Sequence, residues 1–391
     1  MALPSAVSVA SKLPDIGTTI FSVIGALVEQ YKPINLSQGA PNFKVSPQLI
    51  DGATLAMRNG FNQYSPADGI ATLRELLSAK VANLYARHYD PREEITITGS
   101  ASEGLYAAIT ALIHSGDEVI YFEPAFDSYV PNVRLQGGKP VPIQLKAPDF
   151  ALPWDELSAA INSKTKMIII NSPHNPTARV LSAEDLDKLA ALTANTNIVI
   201  LSDEVYEHII FDGVKHMSMA CHPQLAERSV IVSSFGKTFH VTGWRVGYCL
   251  APKEIMAEVR KVHQFLMYAA DTPFQHAVAD YMQDPQTYLG LAEFYQHKRD
   301  LLLDALAATQ FKLYPSQGSF FMLAGYEAFT DEADKDLVLR LIRDYHVATI
   351  PLSAFYSDGY DPKILRLSFA KDDETLRQGA AALIQFSKDN E

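Results

Sequence analysis

Several short runs in the middle of this chain are apolar at every position, and longer stretches of helical periodicity separate them. Met167-Ile168-Ile169-Ile170 and Ile198-Val199-Ile200-Leu201 are the clearest. A strand with one wet face alternates apolar and polar residues, whereas an unbroken run suits a strand covered on both faces. This pattern confines the chain to an α/β architecture, with a mostly parallel sheet between helices. The spacing predicts strands over 95–98, 118–122, 140–145, 166–170, 198–201, 230–233 and 246–250, and helices over 102–113, 154–161 and 183–194. After about residue 281 the character changes. Helical patterns over 288–306 and 334–345 and a late strand over 364–369 read as a smaller α+β unit. The expected organisation is an arm over 1–45 that joins this unit, a large domain over 46–283 and a small domain over 284–391.

Charge and cysteine content narrow the function classes. Lys plus Arg is 33 and Asp plus Glu is 45, so the net charge is 33 − 45 = −12. Nucleic acids and anionic membranes are bound through clustered cations, and no basic run is present. Cys221 and Cys249 are the two cysteines of the sequence, far apart and without a CxxC, which excludes zinc fingers and a disulfide framework. The apolar opening MALPSAVSVAS has no preceding cation and is interrupted by Pro4, so it reads as a loose arm rather than a secretory signal. The next apolar stretch, 19–28, is too short to span a bilayer. A cytoplasmic protein without nucleic-acid or membrane partners is expected.

In an open parallel sheet, ligands sit beyond the carboxyl ends of the strands. Four predicted strands end in polar groups. They lead into Gly99-Ser100-Ala101-Ser102-Glu103-Gly104, Asn171-Ser172-Pro173-His174-Asn175-Pro176, Ser202-Asp203-Glu204-Val205-Tyr206 and Ser234-Phe235-Gly236-Lys237. Singly, each has an ordinary reading as a helix cap, a turn former or a solvated charge. Together they place an acid, an amide, a phenol and a lysine on one rim. GxGxxG after a strand, GxxxxGK[ST], GxSxG and HExxH are all missing, and the eleven histidines have no metal-ligand spacing, so no metal is expected. An amine, an acid and a phosphate-ready helix start form a set suited to Schiff-base chemistry.

Ser233-Ser234-Phe235-Gly236-Lys237-Thr238, followed by Thr242-Gly243-Trp244-Arg245-Val246-Gly247, resembles the cofactor-lysine signature of class I pyridoxal-phosphate aminotransferases. Asn175-Pro176, Asp203 to Tyr206 and Arg366 follow in the family's order. The segments Ser37-Gln38-Gly39-Ala40-Pro41-Asn42-Phe43, Asn62-Gln63-Tyr64 and Ile350 to Tyr356 are similar to the branch that holds methionine aminotransferases and kynurenine/glutamine transaminases. The resemblance implies an aspartate-aminotransferase-like fold with a seven-stranded, mostly parallel sheet and a small α+β domain. It also implies a homodimer with shared active sites.

By the same resemblance, Lys237 carries pyridoxal 5'-phosphate and moves the substrate Cα proton, and Asp203 keeps the pyridine nitrogen protonated. Tyr206 and Asn175 reach the phenolic oxygen, and Phe126 stacks on the ring. The phosphate falls to the N–H groups of Ala101 and Ser102, to Ser234 and Arg245, and to Tyr64 of a second subunit. Arg366 grips the substrate carboxylate with help from Asn171 and Gly39, and Tyr268 walls the neighbour's pocket. The implied activity transfers the amino group of methionine, and of aromatic or other neutral amino acids, to a 2-oxo acid by a ping-pong route. The alternatives are a kynurenine/glutamine transaminase with cysteine-conjugate β-lyase activity, or a regulator that binds the cofactor without turnover.

Overall fold

In the computed structural model, which describes residues 9–390, the seven expected runs form one sheet. The thirteen strands of the described chain are β1 (Ile34–Asn35), β2 (Ile95–Thr98), β3 (Glu118–Glu123), β4 (Lys139–Gln144), β5 (Thr165–Asn171), β6 (Val199–Asp203), β7 (Ser229–Ser234), β8 (Gly247–Leu250), β9 (Lys312–Leu313), β10 (Phe321–Gly325), β11 (Val347–Ala348), β12 (Ile350–Pro351) and β13 (Ile364–Ser368). The large sheet has the order β2-β8-β7-β6-β5-β3-β4. All its pairs are parallel except the two made by β8. Every residue of β2, β3, β7 and β8 is buried, so both faces of these strands are covered. The last strand, β4, is the exception: it lies at the edge, is largely uncovered, and carries Pro140 and Pro142, residues an edge strand tolerates.

The second sheet, β12-β13-β10-β9, is antiparallel. β1 pairs in parallel with β11, and the Ser368 N–H donates to the Leu36 carbonyl at 2.7 Å. Residues 34–36 are thereby stitched to the C-terminal part of the chain. The helices Ala101–Leu112 and Leu291–Leu306 fall within a few residues of the expected ones. The opening segment read as a loose arm lies, over residues 1–8, outside the described residues.

One buried ionic cluster ties the Ala71–Tyr85 helix to the large sheet. Lys80, on the Ala71–Tyr85 helix, donates to Glu207 Oε1 at 2.6 Å and to the Tyr248 hydroxyl at 2.9 Å. Tyr248 and Tyr85 donate to the same carboxylate at 2.5 and 2.6 Å. Burial alone would raise the Glu207 pKa, but Lys80 and these donors outweigh it and hold it well below the usual carboxylate range. Breaking a buried pair by removing one partner strands the other charge. Lys80→Met should therefore cost about 3–5 kcal/mol in urea unfolding. A loss below about 1 kcal/mol, the range of an exposed pair, would show that the cluster does not hold the sheet.

Candidate active site

The strands β5, β6 and β7 end side by side, with Asn171 opposite Asp203 in register and Ser234 closing β7. A cavity of about 280 Å³ opens at these ends. Gly39, Ala101, Ser102, Phe126, Asn171, Asn175, Asp203, Tyr206, Ser234, Lys237, Arg245 and Arg366 all line it. Tyr64 and Tyr268 do not. They sit together on the surface, 83% and 48% exposed, with ring centroids 5.2 Å apart.

Local backbone chemistry shapes one end of this cavity. The helix Ala101–Leu112 starts at Ser100, whose φ of 104° is unusual for a residue with a side chain. Thr98 Oγ1 holds that turn by donating to the Ser100 carbonyl at 2.8 Å. Across from it, a Cβ on Gly247 would come within 2.7 Å of the Ala101 nitrogen. Glycine there lets the helix start lie directly against β8. The unpaired N–H groups of a helix start favour an anion, and Ser234 and Arg245 line the same cavity.

The middle of the cavity holds opposed charges in a dry setting. Asp203 accepts from the Tyr129 hydroxyl at 2.7 Å, and burial pushes its carboxyl up to about 6 against that bond. Among the described residues no cation is in contact with it, and a protonated ring nitrogen would supply one. Lys237 Nζ donates to the Gly39 carbonyl at 3.3 Å. Burial first, then the Arg366 charge, push the lysine down to about 8, while Asp203 pulls the other way. A lowered pKa, which leaves roughly a tenth of the amine neutral at pH 7, suits an amine that must condense with a carbonyl.

Arg366, on β13, forms the other end. One terminal nitrogen donates to Asn175 Oδ1 at 2.8 Å and the other to the Ser37 carbonyl at 3.0 Å. Its guanidinium carbon lies 3.9 Å from the Phe321 ring centroid, with Phe355 at 5.1 Å and Phe21 at 5.4 Å. The Nε is buried without a hydrogen-bond partner among the described residues. Each terminal nitrogen carries a second N–H beyond these bonds, and a caged cation with such donors is matched to a carboxylate ligand. Asn171 acts here as a brace, donating to the Asp203 carbonyl at 2.9 Å and accepting from the Asn175 N–H at 2.7 Å. The donor set as a whole fits a flat ring that carries a basic nitrogen, an aldehyde and an anionic tail.

Sequence reasoning passed over Tyr129, Phe21, Phe321 and Phe355. Tyr129 stands three residues after Phe126, where the helix Tyr129–Leu135 begins, and that nearness was a usable signal. The three phenylalanines come from distant segments, and only the folded chain shows that they share one guanidinium.

The residues 31–383 match the family model described as aminotransferase class I and II. The methionine aminotransferase of Escherichia coli (strain K12) is 45% identical over 376 residues, 96% of this chain and 97% of that protein. The kynurenine–oxoglutarate transaminase of Dictyostelium discoideum is 33% identical, covering 95% of each chain. Among solved structures, YbdL from Escherichia coli, described with a methionine aminotransferase function, superposes with a TM-score of 0.95 at 44% identity, covering 97% of this chain and 100% of that one.

The electrostatics of Lys237 can be tested without any ligand. Asp203 favours the charged amine, so removing its charge disfavours protonation. In Asp203→Asn, the midpoint for acetylation of Lys237, followed by peptide mass mapping against pH, should fall below that of the wild type. An unchanged or higher midpoint would show that the two groups do not sense each other.

Proposed function

This chain belongs to the class I and II aminotransferases and is a transaminase, and from that premise we propose that it uses pyridoxal 5'-phosphate to transfer the amino group of methionine, and of aromatic or other neutral amino acids, to a 2-oxo acid. The observation that carries the substrate choice is the contrast within one cavity. Arg366 lines the cavity, and each of its terminal nitrogens carries a second N–H for an α-carboxylate, while the remaining wall includes Phe21, Leu105, Phe126, Val205 and Phe321. Lys237, Arg245 and Arg366 are the cations of that lining, which leaves none for a distal carboxylate. A thioether suits aromatic walls through sulfur–ring contacts.

When bound, the cofactor supplies an aldehyde that condenses with amines and a ring that accepts the electron pair left at the substrate Cα. Ala101, Ser102, Ser234 and Arg245 would hold its phosphate, and Asp203 would hold the proton on its ring nitrogen. Phe126 would lie on the ring face. Tyr206, edge-on to Phe320 at 4.9 Å, and Asn175 would donate toward the phenolic oxygen. Lys237 Nζ would anchor the aldehyde, and its neutral amine would then take the Cα proton and return it to the other end of the transfer. Arg366 orients the substrate through its carboxylate, with Asn171 fixing the two strand ends behind it and Gly39 leaving room. A side chain at Gly39 would meet the Phe320 and Phe321 rings at 2.9 Å.

A homodimer with shared sites is part of this reading. Leu55, Phe61, Tyr64, Phe265 and Tyr268 are exposed at 57%, 43%, 83%, 87% and 48%, and a second copy would cover them while bringing Tyr64 and Tyr268 to its neighbour's cavity. The reading also keeps the arm, large and small domains with boundaries near 45 and 283, in the cytoplasm. Among the described residues no helix is long and apolar enough to cross a membrane.

The protein loaded with pyridoxal phosphate should convert methionine and a 2-oxo acid into the oxo acid of methionine and the acceptor's amino acid in equal amounts. Arg366→Ala should lose about 2–5 kcal/mol in kcat/KM, the usual cost of truncating a buried charged pair, while keeping its cofactor. Preference for aspartate over methionine, or an Arg366→Ala variant as active as wild type, would overturn the substrate reading.

A further inference from the structure

His263 is 1% exposed and lies at the end of the helix Lys253–Leu266, against the turn that precedes Ala101. Both its ring nitrogens face oxygen atoms. Nε2 is 2.7 Å from the Ala67 carbonyl oxygen and Nδ1 is 3.0 Å from Glu103 Oε1. A carbonyl cannot donate, so Nε2 must carry a hydrogen. A neutral imidazole then has only a lone pair at Nδ1, which would face the carboxyl oxygen of Glu103. The contact is favourable only if a second proton lies between them. An imidazole ordinarily holds that proton about two pKa units more tightly than a carboxyl. Glu103, moreover, already accepts the Gly99 N–H at 3.1 Å through Oε2, a bond that suits an anion in the first turn of a helix.

The surroundings agree with a charged ring. Burial alone would lower the His263 pKa, but the Glu103 hydrogen bond and charge, with the Ala67 carbonyl, outweigh it and the net shift is upward. The other groups that face it are few. Arg260, one turn earlier on the same helix, opposes the proton, but its guanidinium is drawn off to Thr96 Oγ1 and the Arg92 and Ile95 carbonyls. Asp68, beside Ala67, is shared by Arg74 at 3.2 Å and Arg260 at 3.6 Å. Cys249 of β8 is buried near Glu103, and burial pushes its thiol up, so it brings no charge.

We propose that His263, as an imidazolium between Glu103 and the Ala67 carbonyl, is a positioning residue for the cofactor phosphate. It cancels the Glu103 charge in the helical turn whose N–H groups receive that phosphate, and it fixes the Gly99 turn from behind. The inference rests on the cofactor reading above. Two contacts join the turn to the end of the His263 helix. Glu103 links the Gly99 N–H to His263, and the Met267 sulfur lies 1.8 Å from where a side chain on Gly99 would begin. Without the imidazolium, a carboxylate would stand uncompensated in the same turn as a phosphate dianion. The raised pKa sets the sign of the pH dependence. The imidazolium is complete below the ordinary histidine range, and phosphate affinity declines as pH rises through the raised value.

Equilibrium dialysis of pyridoxal phosphate and of pyridoxal, which lacks the phosphate, separates this role from packing. At pH 7, His263→Gln should weaken pyridoxal phosphate by roughly tenfold and leave pyridoxal unchanged. Glu103→Gln/His263→Gln, in which neither group is charged, should recover most of the loss. A His263→Gln variant with the wild-type ratio of the two affinities, or a double variant no better than it, overturns the inference. A wild-type protein that binds pyridoxal phosphate no better than pyridoxal instead overturns the cofactor reading. Should His263→Gln fail to fold, imidazole ¹⁵N shifts of the wild type decide. Two protonated nitrogens at pH 7, with a midpoint lowered in Glu103→Gln, are expected, and a neutral ring contradicts the proposal.

Discussion

Three charged side chains meet around one cavity, Asp203 and Arg366 buried and Lys237 half-buried, and among the described residues none has an ion partner in contact. Each is held instead by neutral donors, acceptors or aromatic faces: the Gly39 carbonyl, the Tyr129 hydroxyl, Asn175 and the Phe321 ring. Burying an unpaired charge is expensive. The cost shows as an acid pushed up to about 6 and an amine pushed down to about 8. A fold keeps such an arrangement when a ligand completes it, and the same strain prepares the amine and the acid for proton chemistry near neutral pH.

The architecture explains how the three come together. Asp203 closes a parallel strand and Lys237 lies in the short Phe235–Thr238 helix directly after the next one. Arg366 belongs to the other sheet, where its strand runs between β10 and β12. Ser37 bridges the two bodies, since its carbonyl receives Arg366 while the neighbouring Gly39 carbonyl receives Lys237. The segment 34–42 is in turn fastened to the C-terminal part through β1, through Lys371 donating to the Ala40 carbonyl at 2.7 Å and through Asn42 donating to Asp372 at 3.0 Å. Movement of the second sheet relative to the first would carry Arg366 and this loop as one.

Much of this was legible in the residues. Buried parallel strands announce themselves by unbroken apolar runs, and their carboxyl ends locate polar residues such as Asp203, Asn171 and Ser234 without any knowledge of a partner. The edge position of β4 was passed over, although Pro140 and Pro142 fall where no central ladder would accept them. Arg366 was different. Nothing in its own segment distinguishes a buried arginine from a surface one, and only the resemblance singled it out. Its aromatic cage was invisible for a further reason: Phe21, Phe321 and Phe355 are each unremarkable apolar residues until a helix, a strand and a short 3₁₀ turn meet. His263 escaped notice because a histidine on a helix has many ordinary uses, and what sets it apart is that both of its neighbours are acceptors.

A lowered pKa does not by itself choose the reactive amine, since burial also brings Lys371 down to about 8. Geometry separates the two, for Lys237 lines the cavity with Asp203 and Arg366, and Lys371 is fastened to the Ala40 carbonyl. Borohydride reduction of the protein after incubation with pyridoxal phosphate, followed by peptide mapping, reads that choice directly. The account predicts one stably labelled residue, Lys237. Label on Lys371 or spread over surface lysines, with Lys237 unmodified, would contradict it.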